Sequence, residues 1–204
     1  IDGRIGLKNG ESKWISNELS RASVHVIRAD FDAIIIGGNT LRKDNPLLTT
    51  RGKKEIEPIR VVVTKSLNLP EECNLWKCDY AKTLVLYDQT SANENYLKKI
   101  PPKVEVIKLK SDNPKNVAKV LADRGCNKIL WECGPKLATS AIKSGWIQEC
   151  LTFVAPKILG GEDCMTPFSD FKFTSMDEVI NLNLKELYRM GDDICLKSFI
   201  RKTL

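Results

Sequence analysis

The densest chemistry in the sequence lies in one run, Ile129-Leu130-Trp131-Glu132-Cys133-Gly134-Pro135-Lys136-Leu137-Ala138-Thr139-Ser140. A strand of apolar residues ends at an acid, turns at a glycine and enters a helix. Ligands of open α/β sheets sit at the carboxyl ends of strands, and a helix N-terminus offers a phosphate unpaired N–H groups and partial positive charge. Gly134 lets backbone approach such a group, Pro135 has no N–H to lose at the first helical position, and Thr139 and Ser140 add hydroxyls. The run lacks the full G-x-G-x-x-G fingerprint, so an ordinary strand-to-helix turn with Glu132 in solvent accounts for the same residues. A second run, Asn39 to Arg51, follows Gly37-Gly38 and gathers Thr40, Asp44, Asn45 and Arg51 in what reads as a loop. Arg51 suits bidentate phosphate binding, although Asp44-Asn45-Pro46 is also a good turn sequence. In Gly10 to Ser16, Trp14 either stacks on a flat ring or caps the core. Arg28 is either a helix C-terminal charge or a second phosphate ligand. His25 has no Ser or Cys nucleophile beside it and reads as a packed or solvent-facing residue.

These residues need elements to hold them. Ser16 to Ala29 reads as a helix, with Ser16 as N-cap and Leu19, Ala22, Val26 and Ile27 on its apolar face. Ala33 to Ile36, Ile59 to Val63 and Thr83 to Tyr87 are short apolar runs that suit buried strands, and Val104 to Leu109 alternates as a more exposed one. Pro114 to Arg124 is a helix, Lys128 to Glu132 a strand, and Lys136 to Ser144 a helix closed by Gly145. Strand, helix, strand predicts a largely parallel sheet. After a strand over Cys150 to Ala155, the alternation around Leu182, Leu184 and Glu186, and again around Ile194, Leu196 and Ser198, predicts an antiparallel hairpin turning at Met190-Gly191-Asp192. The expectation is one α/β domain over residues 1–204, its sheet mixed but mostly parallel and flanked by helices, with Arg51 to Glu57 as a surface loop.

Composition narrows the classes. The chain has 204 residues, 42% apolar and 28% charged, the mixture of an ordinary globular domain. No apolar run reaches membrane length, and the net charge of +6 is scattered without an aromatic–basic stripe, which speaks against nucleic-acid binding. Seven cysteines without a C-x-x-C pair, beside one histidine, predict no metal site and a reducing, cytoplasmic setting. The opening Ile1-Asp2-Gly3, without a methionine, reads as a fragment or processed form.

Taken in order, several stretches resemble the reductase domain of the riboflavin-pathway deaminase/reductases. They are Asp2-Gly3-Arg4-Ile5, Gly10 to Ser16, Val26 to Ala29, Thr40-Leu41, Asp44 to Thr49, Arg51, Pro58 to Val62, Leu130 to Pro135 and Ala155 to Gly160. The resemblance implies a dihydrofolate-reductase-like fold, a homodimer and NADPH as cofactor. The implied reaction is hydride transfer to C1 of the ribose of a phosphorylated ribosylamino-pyrimidine, giving the ribitylamino product. It places Trp14, Thr40, Asp44 and the turn Gly134, Pro135, Lys136, Leu137, Ala138, Thr139 and Ser140 at the cofactor. Ser12, Arg28, Leu48, Arg51 and Glu132 fall at the substrate, with Arg28 and Arg51 on the phosphate. Asp44 and Glu132 are the candidates for managing the proton that hydride transfer leaves wanting. Other readings are a related pterin or pyrimidine reductase and a silent nucleotide-binding module.

The chain departs from the family pattern in three places. Cys133 stands where Glu-Gly-Gly is usual. Thr64-Lys65 replaces Asp-Ser, so that Lys65 could meet a 2′-phosphate. The strand that usually precedes Asp2-Gly3 is missing, and a zinc deaminase domain, if fused, would lie upstream of it.

Overall fold

Three apolar runs become the buried strands β1 (Ala33–Gly37), β2 (Ile59–Thr64) and β3 (Thr83–Asp88). With β4 (Glu105–Leu109) and β5 (Ile129–Trp131) they form a five-stranded sheet in the order β4-β3-β2-β1-β5, with every pairing parallel. The computed structural model describes residues 1–201. Both faces of this sheet are covered, which is why its strands read as continuous apolar runs rather than alternations. Ile34, Ile36, Val62 and Val85 point into one core with Leu41, Leu48 and Trp76. Ala33, Ile35, Val61 and Leu84 point into the other, against Val117 and Leu121 of the helix Pro114–Ala122.

The first helix, α1 (Glu18–Ala29), is capped by Asn17 rather than by Ser16, the Asn17 side chain accepting the Ser20 N–H at 2.9 Å. Asn17 prevails because the buried Asp193 carboxylate, at the start of the last strand, accepts its backbone N–H and the Ser20 hydroxyl at 2.7 Å each. The helix keeps the expected period but turns the stripe outward: Leu19, Ala22 and Val26 are exposed, and its buried residues are Ser20 and Arg28. Periodicity locates a stripe; it does not say that the same chain covers it.

The expected loop over Asn39 to Arg51 begins as a short helix, α2 (Gly38–Asp44), which ends at Asn45 in the left-handed region (φ 42°). Its start is packed so closely that a Cβ on Gly38 would lie 3.1 Å from both Leu69 Cδ2 and Thr64 Oγ1. Two turns with one buried apolar side chain, Leu41, carry too little pattern to be legible. Another one-turn helix, α3 (Asn74–Lys77), is likewise unsignalled. The helix Pro114–Ala122 is α4, and the helix after β5 is α5 (Pro135–Lys143).

The remaining strands, β6 (Glu149–Val154), β7 (Leu182–Met190) and β8 (Asp193–Ile200), form a separate antiparallel sheet in the order β6-β8-β7. The expected hairpin is β7–β8, and it pairs with β6 instead of extending the parallel sheet. Residues paired across strands share a face. Phe153, Cys195 and Tyr188 lie on one face, Leu184, Leu187, Ile194 and Leu196 on the other. Among the described residues, no helix is long and apolar enough to cross a membrane, and no cluster of His, Cys, Asp and Glu is placed to hold a metal.

Candidate active site

Sheet order dictates where the site lies. From β1 the chain proceeds to β2 on one side, while β5 returns on the other, so the strand order reverses between β1 and β5. The connections leaving the carboxyl ends of these two strands diverge and open a crevice there. A cavity of about 480 Å³ occupies that position. Asn39, Thr40 and Asp44 of α2 line one side, and Glu132, Cys133, Gly134 and Pro135 line the other, with Ser12 also on the lining. Sequence segments about ninety positions apart thus meet. Apolar walls come from Val24 and Ile27 of α1, Leu151 and Phe153 of β6, and Met165. Met165 is brought in by backbone pairing with the N-terminal segment, where the Ile5 N–H donates to its carbonyl at 2.8 Å. None of these apolar residues stands out in sequence, because an apolar residue facing a cavity looks like one facing a core.

The start of α5 is built as a cradle. Gly134 is its N-cap in an extended conformation (φ −72°, ψ 173°), and no side chain caps the helix, so the N–H groups of its first turn are left without a capping side chain. A Cβ on Gly134 would stand 3.8 Å from the Thr40 hydroxyl, which closes the crevice from the α2 side. Farther along α5, Leu137 packs against the second core. The Thr139 hydroxyl is committed to Ser169, accepting its N–H at 2.8 Å and donating to its carbonyl at 3.3 Å. Lys136 and Ser140 are exposed and Ala138 is half-buried. The anion-binding potential of the turn therefore rests on backbone, not on Thr139.

The two carboxylates on the cavity differ in environment. Desolvation raises the Asp44 carboxyl above its ordinary value against the smaller opposing pull of Lys43 and Lys13. Glu132 is held by Arg28 in a two-point fork, Nε to Oε2 at 2.9 Å and Nη2 to Oε1 at 2.6 Å. Arg28 also donates from Nη1 to the Thr49 carbonyl at 3.1 Å. Its side chain is only 9% exposed, that of Glu132 35%. Arg28 is thus occupied inside the wall, not free at the surface. Cys133 lines the cavity, and burial first, then the neighbouring Glu132 charge, push its thiol up to about 12. It is a neutral, small side chain in the turn.

Trp14 is 68% exposed and in the left-handed region (φ 65°), with the Arg21 guanidinium 4.3 Å over its ring. It does not cap the core. It stands in a shallow cleft that shares Ser12 with the main cavity. Leu48 is buried in the first core, so only its backbone is available to a ligand. Arg51 is exposed on a turn, also at positive φ (54°). Lys65, at the end of β2, faces Asp112 at 3.7 Å and does not line the cavity. The structure therefore gathers Ser12, Thr40, Asp44, Glu132, Gly134 and Pro135 in one place, puts Trp14 beside them, and leaves Arg28, Leu48 and Arg51 off the cavity lining.

Comparison with known proteins decides the lineage. The family model described as the RibD C-terminal domain matches residues 1–196. The chain belongs to the RibD C-terminal domain family. It is 40% identical over 195 residues to the riboflavin biosynthesis protein RibD of Synechocystis, covering 95% of this chain and 52% of that protein. It is 40% identical over 202 residues to the chloroplastic riboflavin biosynthesis protein PYRR of Arabidopsis thaliana, covering 98% of this chain and 34% of that one. The chain thus spans about half or less of the length of these relatives. Among solved structures, a Thermotoga maritima protein superposes with a TM-score of 0.80 at 24% identity, over 98% of this chain and 53% of that one. That protein is named a diaminohydroxyphosphoribosylaminopyrimidine deaminase/5-amino-6-(5-phosphoribosylamino)uracil reductase. At that identity the likeness establishes the fold, a RibD-type reductase fold of the dihydrofolate-reductase-like kind.

Proposed function

We propose that this domain reduces 5-amino-6-(5-phosphoribosylamino)uracil to its ribitylamino product in riboflavin biosynthesis, with NADPH as cofactor. The observation that carries the reading is the convergence of Asp44, Glu132 and the uncapped start of α5 on one cavity at the strand-order switch point. Membership of the RibD C-terminal domain family supplies the reaction class.

The residues present fit a dinucleotide. The cradle at Gly134, open to backbone approach and faced by Thr40, suits a pyrophosphate. Trp14, exposed beside the cavity, offers a flat ring for stacking. NADPH, when bound, supplies the hydride. The chain's own groups do the rest. Asp44, whose carboxyl desolvation raises above its ordinary value, is the acid at the cavity wall that passes a proton to the nitrogen that needs one. Glu132, fixed by Arg28, orients the pyrimidine and ribose. Arg51 receives the 5-phosphate, and Arg28 acts on the substrate through Glu132.

The outer face of the three-stranded sheet supports a homodimer. Leu184 and Leu187 are 59% and 58% exposed there beside Ile194, an apolar face of a kind that self-association covers. Free thiols at all seven cysteines fit a reducing compartment, cytoplasmic or, as the plant relatives' names suggest, plastid. In the longer relatives the remaining length leaves room for an upstream zinc deaminase.

The test is NADPH oxidation on adding the deaminated ribosylamino-pyrimidine phosphate to the purified domain, with NADH and the dephosphorylated substrate in parallel. NADPH bound tightly without any oxidation would overturn the proposal.

A further inference from the structure

We infer that His25 and Glu57 are positioning residues for the phosphate end of the substrate, acting through the backbone of Thr49 and Thr50; this rests on the reading of Arg51 as the phosphate ligand. The turn that carries Arg51 has a conformation its residues disfavour. Leu48 and Arg51 both sit in the left-handed region at φ 54°, and neither is glycine. Such residues persist only where their surroundings over-determine them.

Here the surroundings act from two sides. The Thr49 carbonyl accepts His25 Nδ1 and Arg28 Nη1, each at 3.1 Å. The Glu57 carboxylate accepts the Thr50 N–H at 2.7 Å and the Thr50 hydroxyl at 2.8 Å. Thr49 and Thr50 are buried, and the Leu48 side chain is anchored in the core. The two residues immediately before Arg51 are thus clamped, which fixes where its guanidinium emerges. A carbonyl acceptor requires His25 to carry its proton on Nδ1. Burial, followed by the charges of Arg28 and Arg51, lowers the His25 pKa against the opposing effects of the Thr49 bond and Glu132, so the ring donates as neutral imidazole. The charged groups around it are Arg28, Arg51 and Glu132. Neither His25 nor Glu57 lines the cavity. Their leverage is on the turn.

The experiment measures ribose 5-phosphate binding and steady-state reduction for the whole domain carrying His25→Ala, His25→Asn or Glu57→Gln, with folding checked by circular dichroism. Asn keeps an N–H donor where Nδ1 stands. His25→Ala and Glu57→Gln are expected to weaken ribose 5-phosphate binding and raise KM for the phosphorylated pyrimidine, each about fivefold. Glu132 keeps its fork to Arg28, so kcat stays within about twofold. KM for the dephosphorylated substrate stays at the wild-type value, and His25→Asn restores binding. Unchanged binding and KM in folded His25→Ala and Glu57→Gln overturn the inference, as does a fall in kcat alone or a failure of Asn to rescue. If wild type turns over substrate and these losses are missing, the clamp falls and the reductase reading stands. If the binding losses appear but no pyrimidine is reduced, the reading falls and the clamp stands.

Discussion

Arg28→Lys separates the two roles open to that arginine, because lysine keeps the charge and loses the fork. In the structure Arg28 makes three hydrogen bonds: 2.9 Å and 2.6 Å to Glu132, and 3.1 Å to the Thr49 carbonyl. An ammonium at the end of a flexible stem keeps one of them and forfeits two. Hydrogen bonds to charged groups contribute roughly 1.5–3 kcal/mol each when buried. Glu132 is 35% exposed, so solvent screens part of that, and a net loss of about 2 kcal/mol is expected. For a domain of this size that lowers Tm by about 4–8 °C. The kinetic consequence is the sharper one. A carboxylate displaced by about an ångström can slow a reaction on the order of a hundredfold, so kcat should fall by roughly 10- to 100-fold while KM for the phosphorylated substrate moves less than about threefold. Thermal melts followed by circular dichroism, with NADPH oxidation at saturating substrate, measure both. If kcat stays within about twofold and KM rises tenfold, Arg28 binds phosphate directly and the Glu132-holding role is wrong.

Replacing Arg51 with Met should raise KM for the phosphorylated substrate by about tenfold or more through loss of a charge-assisted contact, with no change for the dephosphorylated compound; equal effects on both would remove Arg51 from the phosphate. Because the folded-state pKa of Asp44 is raised, the folded protein binds more protons there than the unfolded chain does, and stability falls as pH rises from 3.8 through that raised value. Asp44→Asn should flatten that dependence in pH-dependent melts and abolish the loss of rate on the alkaline side of the same titration. Gly134→Val should fold with a near-normal Tm, since its φ of −72° suits any residue, yet weaken NADPH at least about tenfold in a fluorescence titration by filling the cradle. Leu184→Lys with Leu187→Lys should convert a dimer to monomers in sedimentation equilibrium; monomer in wild type would sink the proposed interface.

The parallel strands are legible because burial on both faces leaves a continuous apolar run bounded by breakers, and β1, β2 and β3 show just that. The helix after β5 is legible from Pro135 at its start and Gly145 beyond its end. The first helix of the site, α2, is not, because Gly37-Gly38 and Asp44-Asn45-Pro46 are loop signals and only Leu41 carries core pattern. The stripe of Leu19, Ala22 and Val26 shows the converse failure: a clear helical period whose residues are exposed in the folded chain. Within the site, Thr40, Asp44, Glu132 and Gly134 can be found because they follow the carboxyl ends of two apolar runs, where ligands of open α/β sheets bind. Glu57 escapes notice, since an acid in a polar stretch gives no sign that it chelates Thr50. The ion pair between Arg28 and Glu132 is also hidden, being a tertiary contact between residues that each read as ligands on their own.

The place of β5 has a consequence for how the site comes into being. It joins the sheet at the edge beside β1, through only three residue pairs from Ala33–Ile129 to Ile35–Trp131. Until the chain past Lys143 has been made, β1 to β4 can assemble and bury their cores, but the crevice has one wall. Pairing β5 with β1 closes a long loop late, and such long-range pairing is slow. The same short ladder is where the folded domain opens most cheaply, because few backbone bonds must break to release it. Amide exchange along Leu130 and Trp131 should therefore outpace that in β2 and β3. Each such opening dismantles the active site while leaving the rest of the sheet intact, so loss of activity under mild heating should precede loss of secondary structure.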